Sequence, residues 1–178
     1  MPLLRLPLHT LDRRVADLVA RFDDIARTRM VGVPLLNPAL QVEAVGFTLE
    51  VEGEGEVGGA GVAVGILVTP WFMNLVRLPL QPDACTAGVG RVQRHQVGTR
   101  SFEFIGAHEG MIGAYAACSL FSPVLEFDTR AAARETALAV LDALRPANPA
   151  LAPARPAEPV PARRSFLLGR SAAHEATR

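Results

Sequence analysis

Apolar residues recur at every third or fourth position between residues 10 and 30, a spacing that predicts an amphipathic helix. Thr10 is a candidate N-cap for this helix, since a threonine oxygen can accept a hydrogen bond from the first helical turn. Gly32 and Pro34 come after the last apolar position and are expected to end the helix.

A second helix is predicted from about 130 to 145. Asp128 or Thr129 is its candidate N-cap, and Pro146 ends it. The predicted buried stripe consists of Ala133, Ala137, Val140, Leu141 and Leu144.

The segment between the two helices predicts a series of strands. They are expected at 41–51, 62–69, 91–97, 100–107 and 113–121, while residues 73–80 predict either a further strand or a short helix. Consecutive strands between two terminal helices are typical of mixed domains. We therefore predict an α+β fold with a mostly antiparallel sheet.

The stretch VGGAGVAVGILVTPWFMNLV, residues 57 to 76, carries no charge and contains the only tryptophan. A membrane-spanning helix needs about 20 apolar residues. Four glycines lie between residues 57 and 65, and Pro70 interrupts the remaining run. The stretch therefore predicts a buried strand and no stable membrane insertion. Peripheral contact of residues 62–76 with a membrane surface stays an alternative.

The composition changes after residue 145. Six prolines fall between residues 146 and 161, mostly separated by alanine. Proline-rich segments form extended linkers. We predict a single α+β domain over residues 1–145, a linker over 146–162 and a basic, disordered tail over 163–178.

Charge and composition exclude several classes of function. The 178 residues carry 18 basic and 18 acidic side chains, so the basic field of a nucleic-acid-binding protein is missing. Every basic residue is an arginine, which excludes chemistry that needs a lysine amine. The N-terminal residues do not form a secretory signal, and a cytoplasmic location is expected.

No motif predicts a catalytic residue, a cofactor or a metal. Cys85 and Cys118 belong to no C-x-x-C pair, and no histidine has a second histidine three or four residues away. A β-branched run follows Gly65, where a dinucleotide-binding turn must open a helix. Residues that meet only in the fold could still form a triad, but the sequence favours a protein without enzyme activity.

Two stretches are candidates for partner binding. The first is Trp71, Phe72, Met73 and Asn74, because aromatic residues and methionine are enriched at interfaces, although the same cluster could be core. The second is acidic and consists of Glu50, Glu52 and Glu54. Residues 31–145 hold seven arginines against twelve acidic residues. An acidic rim beside an apolar surface would complement a peptide that is cationic at one end and apolar beyond it.

Three blocks of the chain resemble the HybE/HupJ family of nickel–iron hydrogenase assembly chaperones: PLLNPALQVEAVGF (34–47), GILVTPWFMNLV (65–76) and YAACSLFSPVLEF (115–127). The resemblance implies a cytoplasmic, non-enzymatic maturation factor. It implies binding of the hydrogenase small-subunit precursor, the large subunit or both, before twin-arginine export. Some relatives carry a rubredoxin-like appendage with two C-x-x-C pairs; this chain has none, so no iron site is implied. The oligomeric state stays open.

The segment ARRSFLLG, residues 162–169, resembles the twin-arginine export consensus through Arg163, Arg164, Phe166 and Leu167. It lies far from the N-terminus and no apolar helix follows it, so it is not an export signal. We predict that it is an internal mimic of such a signal. A plain basic tail, or a short helix that docks Phe166 and Leu167, is the alternative.

A second hypothesis for the whole chain is a small redox or cofactor-handling protein of the hydrogenase maturation pathway, with Cys118 as the reactive group. A reactive thiol needs nearby cations or a helix N-terminus to lower its pKa. The setting AACSLFS is apolar, which predicts an inert thiol instead.

Overall fold

The computed structural model describes residues 5–50, 61–82 and 88–145, with side chains from His9 onward. The chain divides into two units, Met1–Pro146 and Ala147–Arg178, and only the first contains described residues. Its elements are α1 (Arg5–Thr28), β1 (Glu43–Leu49), β2 (Val62–Val68), β3 (Met73–Pro79), β4 (Val92–Val97), β5 (Arg100–Glu109), β6 (Gly113–Phe121) and α2 (Arg130–Leu144). The predicted linker and tail, 146–178, lie outside the described residues.

The strands form one six-stranded sheet in the order β1-β2-β3-β6-β5-β4, and every neighbouring pair is antiparallel. The predicted α+β fold is therefore confirmed. Residues 73–80, for which the sequence allowed a helix or a strand, supply β3. Its apolar residues alternate between the two faces of the sheet, as a strand buried on both sides requires.

One helix covers each face of the sheet. The α1 face buries Leu18 and Phe22 of the helix against Leu67, Val76 and other sheet residues. The α2 face packs Ala133, Ala137, Leu141 and Leu144 against its own set, which includes Ile66, Leu75 and Phe104. Because β2 and β3 lie between both layers, their sequences are nearly continuous apolar runs.

The uncharged stretch at 57–76 contributes β2, whose residues from Ala63 to Val68 are all buried. The prediction of a buried strand is thus confirmed. Neither helix in the described part of the chain combines the length and the apolar character that crossing a bilayer requires.

Helix α1 begins at Arg5, so the prediction of Thr10 as its N-cap is wrong. Pro7 lies in the first turn, where backbone N–H groups have no intrahelical partner and a proline is tolerated. The cap of α2 lies within the predicted pair: the hydroxyl of Thr129 accepts a hydrogen bond from the amide of Ala132 at 3.1 Å.

A β-bulge interrupts β1. The register with β2 shifts between Val45 and Thr48, and Gly46 there has a φ of +62°. The extra residue lets Val45 pack on the α2 face while Phe47 packs on the α1 face. An uninterrupted strand would place both side chains on the same face.

Candidate partner-binding surfaces

Trp71 and Phe72 sit in a tight turn before β3. The hydroxyl of Thr69 accepts hydrogen bonds from the amides of Trp71 and Phe72 at 3.3 and 3.0 Å. Both rings contact Phe22 of α1, with centroid distances of 6.4 and 5.7 Å. Phe22, Trp71 and Phe72 form an aromatic corner in which Trp71 and Phe72 stay partly exposed.

The next two predicted binding residues point in opposite directions. Met73 is fully buried on the α2 face and belongs to the core. Asn74 follows on the α1 face, partly exposed. Its side-chain oxygen is buried and, among the described residues, has no hydrogen-bond partner. Strand alternation therefore removes Met73 from any exposed surface and leaves Asn74 beside the aromatic corner.

The α1 face continues beyond the helix as an open sheet face. Asn74 pairs with Ser119, Ile105 pairs with Ala117, and Val92 pairs with Ile105. Residues directly opposite each other in an antiparallel pair share one face. The side chains of Val92 and Ile105 are 59% and 53% exposed. These five residues define the open sheet face, which extends from the edge of the aromatic corner.

The acidic stretch is only partly described. Glu50 accepts hydrogen bonds from the guanidinium of Arg77, one of them 3.1 Å from Nε. Its charge is therefore already neutralised within the domain. Glu52 and Glu54 lie outside the described residues, so an acidic rim formed by the three glutamates stays a prediction.

A groove of about 760 Å³ runs between α1 and β1. Its apolar lining includes Val15 and Val19 from the helix and Val42, Ala44 and Phe47 from the strand region. Asp12 and Asp23 line it from α1, Glu43 from β1, and Arg130 from the start of α2. We call this the α1/β1 groove.

The charge of Glu43 is held inside the domain. Arg130 donates to its carboxylate at 2.8 Å, and Arg134 donates to the other oxygen. Burial acts to raise the pKa of Glu43, but the hydrogen bonds and positive charges of the two arginines outweigh it and lower the pKa. Glu43 therefore stays ionised and unavailable to a ligand.

Cys118 does not have the environment of a reactive thiol. Burial and then the negative charge of Glu103 raise its pKa, whereas a reactive cysteine needs a lowered one. Cys85 lies outside the described residues. Within the described ranges, no group of three or more His, Cys, Asp or Glu side chains is placed to hold a metal ion.

The sequence prediction included Trp71, Phe72 and Asn74 but missed the open sheet face and the groove. A signal for the open sheet face was present in β5. Ser101, Glu103, Ile105 and Ala107 form the partly polar side of that strand, and Ile105 is a large apolar residue among them. No comparable signal marks the groove, because it forms only when α1 packs beside β1.

Comparison with known proteins adds independent findings. The family model described as NiFe-hydrogenase assembly, chaperone, HybE matches residues 13–169. Protein HoxT of Cupriavidus necator is 47% identical over 88% of this chain and 89% of its own length. Hydrogenase expression/formation protein HupJ of Bradyrhizobium diazoefficiens is 40% identical over 85% of each chain. The solution structure of HybE from Escherichia coli shares the fold, with a TM-score of 0.53 at 23% identity over 90% of this chain and 91% of its own.

Proposed function

Because this chain belongs to the HybE family of NiFe-hydrogenase assembly chaperones, we propose that it binds a hydrogenase subunit precursor in the cytoplasm before twin-arginine export. The observation that carries the proposal is the open sheet face beside the aromatic corner. Binding there needs no catalytic group and no cofactor.

Exposed apolar side chains on a sheet face support a docking role. Val92 and Ile105 are adjacent and more than half exposed, and clustered apolar surface of this kind marks interaction sites. Trp71 and Phe72 extend the same side of the domain with aromatic rings, which are enriched in interface cores.

Asn74 adds a polar feature to this surface. Its amide oxygen is buried and has no hydrogen-bond partner among the described residues. Because the atom is buried, a partner would reach it only after the Asn74 side chain turns outward. The proposed interface therefore rests on apolar contact area, and Asn74 supplies a polar group at its edge.

The test replaces the two exposed apolar side chains together, as Val92→Gln and Ile105→Gln, in the full-length protein. Full burial of one such side chain contributes about 1.5–3 kcal/mol. The double variant should therefore bind the precursor at least about tenfold more weakly in calorimetric titration. Leu138→Gln is the matched control, because Leu138 is an exposed apolar residue of α2.

The same titration identifies the partner. The protein is titrated with the small-subunit precursor, with that precursor lacking its signal, and with the large subunit. Binding that the double variant loses and the control retains supports the proposal. Absence of binding to all three proteins would refute it.

A further inference from the structure

We propose that the α1/β1 groove is a separate binding site for a peptide segment that carries arginine next to apolar side chains. The inference rests on the proposed function, since an export signal with paired arginines is a segment of this chemistry. It assigns that segment to a surface distinct from the open sheet face.

The lining of the groove fits apolar side chains. Val15, Val19, Ala44 and Phe47 are all partly exposed within it. Ligand pockets in proteins usually measure about 300–1,000 Å³, and the groove volume of about 760 Å³ lies within that range. It has room for several side chains of a peptide.

Two carboxylates give the groove an available negative charge. Asp12 and Asp23 are eleven residues apart on α1, about three helical turns, so they lie on the same side of the helix roughly 16 Å apart. Asp12 has no ion pair among the described residues. Within the described part of the chain, the one ion pair of Asp23 is an exposed contact with Arg27 at 3.8 Å, and such pairs contribute little.

The arginines near the groove offset only part of this charge. Asp12, Asp23 and Glu43 line the groove together with one arginine, Arg130. Arg134 also donates to Glu43, and the three carboxylates still outnumber the two arginines. The surplus negative charge lies on the side of Asp12 and Asp23, where it would attract a cationic ligand. Arginine suits this site because its guanidinium pairs well with carboxylates while its stem packs on apolar surface.

The bulge in β1 decides how a ligand is held. β1 is an edge strand that pairs only with β2 among the described strands, and a regular edge could accept an added strand. The register shift at Gly46 interrupts that edge. A continuous backbone ladder is therefore disfavoured, both for a peptide and for β1 of a second copy. Side-chain contacts in the groove are the remaining mode of binding.

Two pairs of substitutions test the groove without disturbing the core. Ala16→Gln with Ala20→Gln fills it, because both alanines line it and are exposed. Asp12→Asn with Asp23→Asn removes its charge. The matched controls lie on α2: Ala131→Gln with Ala139→Gln, and Glu135→Gln with Asp142→Asn, all at exposed positions. Thermal unfolding establishes that each variant folds.

The ligand is a synthetic peptide with the signal sequence of the small-subunit precursor. The filled variant should bind it at least about tenfold more weakly than the parent protein. The charge variant should bind about three- to tenfold more weakly, with a flatter salt dependence. The α2 controls should match the parent, and all variants should bind the signal-less precursor as the parent does.

The outcomes separate this inference from the proposed function. Peptide binding that survives both groove variants, or a parent protein that binds signal-less precursor but no peptide, overturns the groove site alone. Self-association that the filled variant abolishes would assign the groove to a second copy and also overturn it. A parent protein that binds neither precursor form nor large subunit refutes the function itself.

Discussion

Arg14 shows how one side chain fixes the position of a helix. It is only 4% exposed, and it donates to the carbonyl oxygens of Pro79 and Ile112 at 3.0 and 2.8 Å. Burial lowers its pKa, and the charge of Asp17 partly offsets that effect. The guanidinium joins α1 to the end of β3 and to the β5–β6 turn.

Arg14→Met should destabilise the domain by about 2–4 kcal/mol, since it leaves two buried carbonyl groups without their donor. Urea unfolding of the full-length protein measures the loss. The neighbouring Arg13 is exposed, so Arg13→Met should change the free energy of unfolding by less than about 0.5 kcal/mol. Equal effects of the two substitutions would contradict the anchoring role of Arg14.

Single residues were the hardest to predict from the sequence. Trp71, Phe72 and Met73 are consecutive and similar in character, yet two are partly exposed and one is fully buried. The difference depends on which residues of β3 face α1 and which face α2, and on the contact of Trp71 and Phe72 with Phe22. Neither is encoded in the local pattern, since both require the packed sheet.

At the scale of elements, the β4–β5 turn supports the end of α2. Gly98 has a φ of +57°, and a Cβ atom there would collide with the backbone carbonyl of Leu144. The amide of Thr99 donates to that same carbonyl at 3.1 Å. The missing side chain at Gly98 allows the helix terminus to approach the turn.

Gly98→Ala should therefore destabilise the domain by about 2–4 kcal/mol, from backbone strain and from displacement of the helix end. Gly90→Ala separates the two causes. Gly90 has a φ of +76° but no atom within 4 Å of an added Cβ, so its substitution should cost only about 1 kcal/mol. Thermal unfolding that gives both variants the same loss would exclude the steric contribution.

Element types were well predicted and some boundaries were not. The β4–β5 hairpin followed from alternation on either side of Gly98 and Thr99, and α2 followed from its cap and apolar stripe. The predicted start of α1 was wrong because Pro7 is tolerated inside the first helical turn. The bulge at Gly46 was missed because it depends on the pairing of β1 with β2 and on the close approach of Leu141 to Gly46. Neither contact is visible in the local sequence.

At the scale of the whole molecule, the proposed surfaces occupy different places on the α1 side of the sheet. The open sheet face extends over β3, β6, β5 and β4, and the groove lies beside β1 at the opposite edge of the sheet. On the two proposals above, the open sheet face would bind the folded part of a hydrogenase subunit while the α1/β1 groove binds the signal segment of the same subunit. Linking two contacts in this way raises the overall affinity above that of either one.

The hypothesis of an internal signal mimic belongs to this scale and stays a prediction. If the RRSFLLG segment competes with an export signal, deletion of residues 146–178 should tighten binding of the signal peptide. A tethered competitor acts at an effective concentration on the order of millimolar. The double substitution Arg163→Gln with Arg164→Gln in the full chain should also tighten binding of the signal peptide. Unchanged or weaker peptide binding in both proteins would remove the hypothesis.

The strand order has a further consequence, for the route by which the chain folds. The sheet consists of two three-stranded meanders, β1-β2-β3 and β4-β5-β6, each joined by contacts between neighbours in sequence. Among the described strands, only the pairing of β3 with β6 joins the two meanders, and it closes a loop that contains the whole of β4 and β5. Loop closure costs entropy before such contacts repay it, so non-local pairing slows folding. We expect each meander to collapse early and the β3–β6 junction to set the rate at which the sheet is completed.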